Sequence, residues 1–401
     1  MVATRIGIKG QDDIVIVSCV RTAITKAKKG QFKDTKHEHL LSHVLKAVVQ
    51  KVNLDPALVQ DIVVGNVCPP QSGANLARMA MLHAGFPETS SIMTINRQCS
   101  SGLTATMQVA SAIRDGTIDI GIGAGCESMT SFQNSRTMTD EQFDQDMQRQ
   151  PNVADCRIPM GITSENVAHD YGISREKQDR FSAESHRRAT HAQQNGYFDA
   201  EITPVPTTII DANGNKKQIL VTKDDGIRPT TTVEGLAKLK PVFKEGGSTT
   251  AGNSSQVSDG AAAVLLMKRS RANQLGLPIL AKIIDYSVVG VPPRVMGIGP
   301  AFAIPQVLKK IGIYTSDIDI FEINEAFASQ AVYCVEKLGI DPSKVNPKGG
   351  AIAFGHPLGC TGARQISTLI YELIRTNKKL GATSMCLGSG MGMCAVFEAE
   401  Q

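Results

Sequence analysis

The chain has 401 residues, too many for one simple core, since domains usually run to about 100–200 residues. Hydrophobic content of 42% and charged content of 20% are ordinary for a globular protein, and a net charge of +4 is too small at this length to point to nucleic acid. No run of about 18 uncharged apolar residues occurs, so no membrane span is expected.

The predicted elements alternate from the start. Ile14–Val17 reads as a buried strand. Leu40–Val52 reads as a helix, with Leu40, Leu41, Val44, Leu45, Val48 and Val49 on one side. Ile62–Val64 is a second strand, Asn75–Gly85 a short helix and Ile92–Ile95 a third strand. Leu103, Met107, Ala110 and Ile113 mark the face of the next helix, which stops near Asp115-Gly116. Ile118–Gly125 is a strand ending in glycines. From about Ser131 to Gly247 the chain turns polar and carries a charged helix over Ser174–Gln194. Ser258–Met267, with its alanine-rich apolar run, returns to strand. Ile318–Ile323 is a strand, Asn324–Leu338 a helix closed by Gly339, Gly362–Lys378 a helix, and Thr383–Leu387 and Met393–Phe397 are strands.

The two ends of the chain repeat one order: a turn with a reactive residue opens a helix, and a glycine-ending strand follows. This predicts a duplicated α/β unit with mainly parallel sheets and both reactive turns at equivalent sheet ends. The expected division is an N-terminal half over 1–130 completed by 248–275, a loop domain over 131–247, and a C-terminal half over 276–401.

Three segments carry the chemistry: Asn96-Arg97-Gln98-Cys99-Ser100-Ser101-Gly102, Gly355-His356-Pro357, and Cys386-Leu387-Gly388-Ser389-Gly390-Met391-Gly392. A free thiol has a pKa near 8.5, so only about 3% is thiolate at neutral pH. The helix start at Ser100-Ser101 contributes about 0.3–1 kcal/mol, less than one pKa unit, so Cys99 needs a base. His356 is the one histidine in a comparable glycine-flanked turn. His37, His39 and His43 share a helix start and read as a solvated face. A second thiol, Cys386, suits acid/base work on carbon, and backbone N–H groups at Cys99 and Gly388 suit an oxyanion. Gly388–Gly392 is no dinucleotide loop, because a strand follows it. Of the nine cysteines none forms a C-x-x-C pair, so zinc spacing is absent. Their odd number, with no apolar leader over Met1–Asp13, argues for reduced thiols in an intracellular compartment.

These motifs, with Asn324-Glu325-Ala326-Phe327 and Gly349-Gly350, closely resemble the thiolases over nearly the whole chain. Met160–Asn166 and Ile323–Gln330 resemble the degradative, peroxisomal-type 3-ketoacyl-CoA thiolases. The resemblance implies two similar halves in a five-layer α-β-α-β-α stack with an inserted loop domain, a homodimer or dimer of dimers, and coenzyme A as substrate with no resident cofactor or metal. It implies that Cys99 carries the acyl group, that His356 deprotonates it, and that Asn324 positions a water in the same oxyanion site. Cys386 handles the α-proton of acetyl-CoA, and the N–H groups of Cys99 and Gly388 form the second oxyanion site. Arg228 and Ser255 match the coenzyme A contacts. The alternatives are an acetoacetyl-CoA thiolase and a thiolase-like protein that only binds acyl-CoA or lipid. Ser389 and Met391 depart from the glycine and glutamine of many relatives. A peroxisomal location follows from resemblance alone, with a cytoplasmic or mitochondrial one as the alternative: Arg5-Ile6 opens a targeting pattern that Asp12-Asp13 spoils, and Glu398-Ala399-Glu400-Gln401 is no S-K-L-type address.

Overall fold

The structure, a computed structural model, describes residues 6–136 and 139–400. Arg5, in the targeting pattern, and Gln401 lie outside the described residues.

Strands buried on both faces set the core. In Ser258–Lys268, Ala261, Ala263, Leu265 and Met267 enter one apolar cluster, while Ala262, Val264 and Leu266 enter another. This is the two-residue period of a strand, with no face left for water. Ile14–Arg21 divides likewise: Val15 and Val17 join the first cluster, Ile14 and Ile16 the second. The helices His37–Gln50 and Ala74–His83 cover the first cluster. The second holds Leu103, Met107 and Ile113 of the helix Ser101–Arg114 and Ile366, Leu369 and Leu373 of the helix Leu358–Arg375. A third joins Phe321, Ile323 and Val396 to Ile304, Val307 and Leu308 of the helix Gly299–Ile311. The layers therefore run helix, sheet, paired central helices, sheet, helix.

The strands lie in the order Ile320–Ile323, Leu380–Leu387, Met391–Ala399, Ala281–Gly290, Ile14–Arg21, Ser258–Lys268, Ile120–Ser128, Asp61–Gly65, Ser91–Ile95. Outward from the joint between Ala281–Gly290 and Ile14–Arg21, the halves present corresponding strands in the same order, which is the duplication. The joint itself is narrow: Val15 pairs with Lys282 and Ile16 with Ala281.

The sheet is mixed, which corrects the expectation of mainly parallel pairing. Among the described residues parallel pairing joins Ile320–Ile323 to Leu380–Leu387 and Asp61–Gly65 to its two neighbours; the other ladders of this sheet are antiparallel. The cause is visible at a reversal. Leu387 pairs with Met391, so the chain returns through Gly388, Ser389 and Gly390 as a hairpin, without the crossover that parallel strands need. Periodicity also misses Ala281–Gly290 and the helix Gly299–Ile311, which contains Pro305, and the hairpin of Val205–Ile210 with Lys216–Val221. The first of the helices read from Asn324 and Gly362 begins later, at Ala328, and the second earlier, at Leu358.

Glycines in Ile120–Ser128 bring the central helices onto the strand. A Cβ on Gly123 would overlap Cα of Thr106, and one on Gly125 would overlap the Gly359 carbonyl oxygen. Gly102 faces Gly359 and Gly362 faces Leu103 at similarly close range, so the first turns of the two helices meet. Gly125→Ala is expected to destabilise the fold by about 1–3 kcal/mol, since backbone must move to admit the methyl. Equilibrium urea unfolding checks this, and an unchanged midpoint would contradict so tight a seam.

Candidate active site

The first reactive turn is held by its own hydrogen bonds. Gln98 takes φ 49°, and its N–H donates to Asn96 Oδ1 at 2.9 Å. Ser101 Oγ accepts the Arg97 N–H at 2.9 Å and donates to the Gln98 carbonyl at 2.6 Å. The helix Ser101–Arg114 starts there, which leaves Cys99 half-buried beside the helix N-terminus. Cys99 packs against Val67, Cys68, Met129 and Leu358, the last of which follows the His356 turn.

The second turn needs glycine: Gly355 has φ 115°, and a side chain there would overlap Ser258 Oγ. The His356 N–H donates to the Gln256 carbonyl at 3.0 Å. Thr361 Oγ1 lies 2.6 Å from His356 Nδ1 and donates to the Pro357 carbonyl at 3.4 Å. In the tautomer with the proton on Nδ1, Oγ1 accepts from Nδ1–H and Nε2 carries the lone pair a base needs. Nε2 faces Asn324 Nδ2 at 3.3 Å. Asn324 Oδ1 is buried and has no hydrogen-bond partner among the described residues. Asn324 stays outside the helix because its N–H donates to the Ser384 carbonyl, while Ala326 and Ala328 bond to Ser255 and Asn253.

The third segment ends the strand Leu380–Leu387. Cys386 is fully buried against Met296, Ala326 and Phe327, with Met160 beside them. Burial pushes its thiol well above the ordinary value of 9.0, and the neighbouring Cys99 sulfur pushes it further. Cys386 is thus a protonated acid at neutral pH, within electrostatic reach of Cys99. Gly388 lies against Gln98, whose side chain would be 3.4 Å from an added Cβ. Ser389 holds φ 62° without being glycine, and its hydroxyl donates to the Gly388 carbonyl at 2.5 Å.

Along the seam between the halves Cys99 thus neighbours Cys386, Gly388 neighbours Gln98, and Asn324 pairs with His356, whose turn leads into the Leu358 that shares a cluster with Cys99. Ser255 borders the seam, its N–H donating to the Ala326 carbonyl at 3.0 Å. Arg228 is exposed, and its N–H donates to His186 Nδ1 at 3.2 Å. Burial first, and then the Arg228 charge, hold His186 down at about 4, so it stays neutral and accepts that bond. Gln256, next to Ser255, donates to the carbonyls of Gly226 and Ala353 at 2.8 Å each, tying the Arg228 loop to the segment before His356. No direct contact between Arg228 and Ser255 is seen among the described residues.

Sequence reasoning misses Thr361 and Gln256. A hydroxyl five positions after His356, at the start of a helix, is the signal that points to Thr361. The reading of His37 as part of a solvated face is corrected: it is buried and meets Asn66 Oδ1 at 3.0 Å. A cavity of about 330 Å³ between the helices Arg175–Gln194 and Ala328–Leu338 is lined by Phe181, Val332 and Val335 and not by the reactive residues.

Residues 14–270 match the family model for the thiolase N-terminal domain and residues 277–399 that for the thiolase C-terminal domain. The chain is 59% identical over 389 residues to the peroxisomal 3-ketoacyl-CoA thiolase B of Mus musculus, covering 96% of this chain and 91% of the relative. The crystal structure of the dimeric peroxisomal thiolase of Saccharomyces cerevisiae superposes with a TM-score of 0.90 at 47% identity, covering 98% of each chain. A second structure of the peroxisomal 3-ketoacyl-CoA thiolase of that yeast, described as five-layered and built from two core domains of identical topology, matches with a TM-score of 0.80 at 43% identity, covering 98% of this chain and 99% of the other.

Proposed function

The chain belongs to the thiolase family, and from that premise we propose that it is a peroxisomal 3-ketoacyl-CoA thiolase of fatty-acid β-oxidation. It cleaves 3-ketoacyl-CoA with free coenzyme A to acetyl-CoA and a shortened acyl-CoA. The observation that supports this reading best is the set of neighbours at the seam: Cys99 acts on the buried acid Cys386 and packs on the cluster that holds Leu358, two residues after His356, which itself pairs with Asn324.

The roles are those the family resemblance implies, and the placement of the residues is compatible with them. His356 Nε2 takes the Cys99 proton, and the thiolate attacks the 3-keto carbon. As the bond between C2 and C3 breaks, Cys99 keeps the acyl group as a thioester and acetyl-CoA leaves as its enolate. Cys386 gives that enolate its proton. The incoming coenzyme A thiol returns a proton to Cys386, attacks the thioester, and releases Cys99 as a thiolate, which takes its proton back from His356. An enolate is a strong base, so a placed acid and N–H donors are needed, each supplying a few kcal/mol. The N–H groups of Cys99 and Gly388 are the donors that the family resemblance assigns to that charge. The orphan Asn324 Oδ1 suits a water that serves, with His356, the thioester oxygen. Residues 131–247 supply the coenzyme A side through Arg228, with Ser255 at the pantetheine. Coenzyme A is a substrate, and the chemistry calls for no resident cofactor. The edge strand Ser91–Ile95, with exposed Met93 and nearby Met79 and Leu82, presents an apolar face to a second copy in a homodimer.

Rates on acetoacetyl-CoA and 3-ketohexadecanoyl-CoA test the substrate class. Turnover of the long substrate is expected. Activity confined to the four-carbon substrate would assign an acetoacetyl-CoA thiolase, and binding without thiolysis a non-catalytic relative.

A further inference from the structure

Glu127 is fully buried at the end of the strand Ile120–Ser128, opposite Gly260. Its carboxylate collects backbone N–H groups from both halves. Oε2 accepts from Val67 at 3.1 Å and from Gly359 at 2.9 Å, and Oε1 accepts from Cys68 at 3.0 Å. Burial raises its pKa, and these same donors oppose the rise.

The three donors are not arbitrary. Gly359 lies in the first turn of the helix Leu358–Arg375, immediately behind His356-Pro357. An anion at that N-terminus is favoured by the helix dipole. Val67 and Cys68 form the loop behind the nucleophile. Cys68 packs with Cys99 and Leu358, and the Val67 carbonyl accepts from Asn96 Nδ2 at 3.4 Å. One carboxylate thus holds the backing of both reactive turns, which belong to different halves of the chain.

We propose that Glu127 is a positioning residue for the Cys99–His356 pair, fixing the thiol-to-imidazole geometry across the seam; this rests on the roles given to that pair above. A misplacement of about 1 Å in such a pair costs on the order of 100-fold in rate. An amide at 127 has one accepting oxygen, and its NH₂ would oppose at least one of the three donors.

The test is Glu127→Gln in the full-length enzyme, with Glu127→Asp beside it. Acylation of Cys99 is followed by rapid quench, and alkylation of Cys99 by iodoacetamide is followed by peptide mass spectrometry. For Glu127→Gln both rates per folded molecule are expected to fall about 10- to 100-fold, with KM for coenzyme A changed less than about twofold and a thermal midpoint lowered but still above the assay temperature. Glu127→Asp keeps the charge but is shorter, and a smaller fall in both rates is expected. Wild-type rates in either folded variant overturn the proposal. So does a loss confined to KM, or one that disappears when rates are expressed per folded molecule. Should Glu127→Gln fail to fold, the same comparison is decided on Glu127→Asp. Alkylation reports the pair whatever the substrate, so a wild-type enzyme without thiolysis would sink the proposed reaction and leave this inference standing.

Discussion

Cys386→Ala is expected to separate two half-reactions. The variant should still form the Cys99 thioester from an activated acyl donor, because His356, Asn324 and the turn at Gln98 are untouched. Cleavage of 3-ketoacyl-CoA should fall by about 10²–10⁴-fold, the usual worth of a placed general acid, and more if no water replaces the thiol. Water is poorly placed to do so. Cys386 is fully buried among Met296, Ala326 and Phe327, and removing its sulfur leaves an apolar gap. Single-turnover acylation and steady-state thiolysis, measured on one preparation, check this. Equal losses in both would mean that Cys386 only shapes the site.

Cys99→Ala is expected to abolish thiolysis, by on the order of 10⁴-fold or more, because no other group can hold the acyl chain between the two steps. The eight remaining cysteines do not replace it. Cys19, Cys334 and Cys360 are fully buried with thiols pushed up to about 12, and Cys156 lies exposed in the 131–247 segment. Coenzyme A binding should survive within a fewfold, since the substitution leaves the proposed contacts Arg228 and Ser255 in place. Residual thiolysis near the wild-type rate would remove Cys99 from the mechanism.

Much of this was legible in the chain. The paired order of turn, helix and glycine-ending strand led to a duplicated α/β fold, and the strand orders of the two halves match except for the edge strand Ser91–Ile95, which has no counterpart. The apolar run at Ala261–Leu266 announced a strand buried on both faces. Gly121 and Gly123 were legible only as glycines of the strand over Ile118–Gly125; their use is to let Val109 and Thr106 sit against strand backbone. That contact joins elements close in sequence but depends on a packing distance no pattern encodes. Antiparallel pairing was missed because hairpin and crossover connections share their glycine signals. Asn324 was placed inside a helix by periodicity, whereas bonds from its segment to Ser384 and residues 253–255 hold it extended. Glu127 carried no motif at all: a buried carboxylate satisfied by backbone N–H groups has partners that any residue types could supply.

The most direct measurement locates the acyl group. Enzyme quenched during turnover of a labelled 3-ketoacyl-CoA is digested and read by mass spectrometry. The label is expected on Cys99 as a thioester labile to hydroxylamine, and it should vanish on chase with free coenzyme A. Label on Cys386, or no covalent label in an enzyme that is turning over, would contradict a reaction built on the meeting of these two sulfurs and one imidazole.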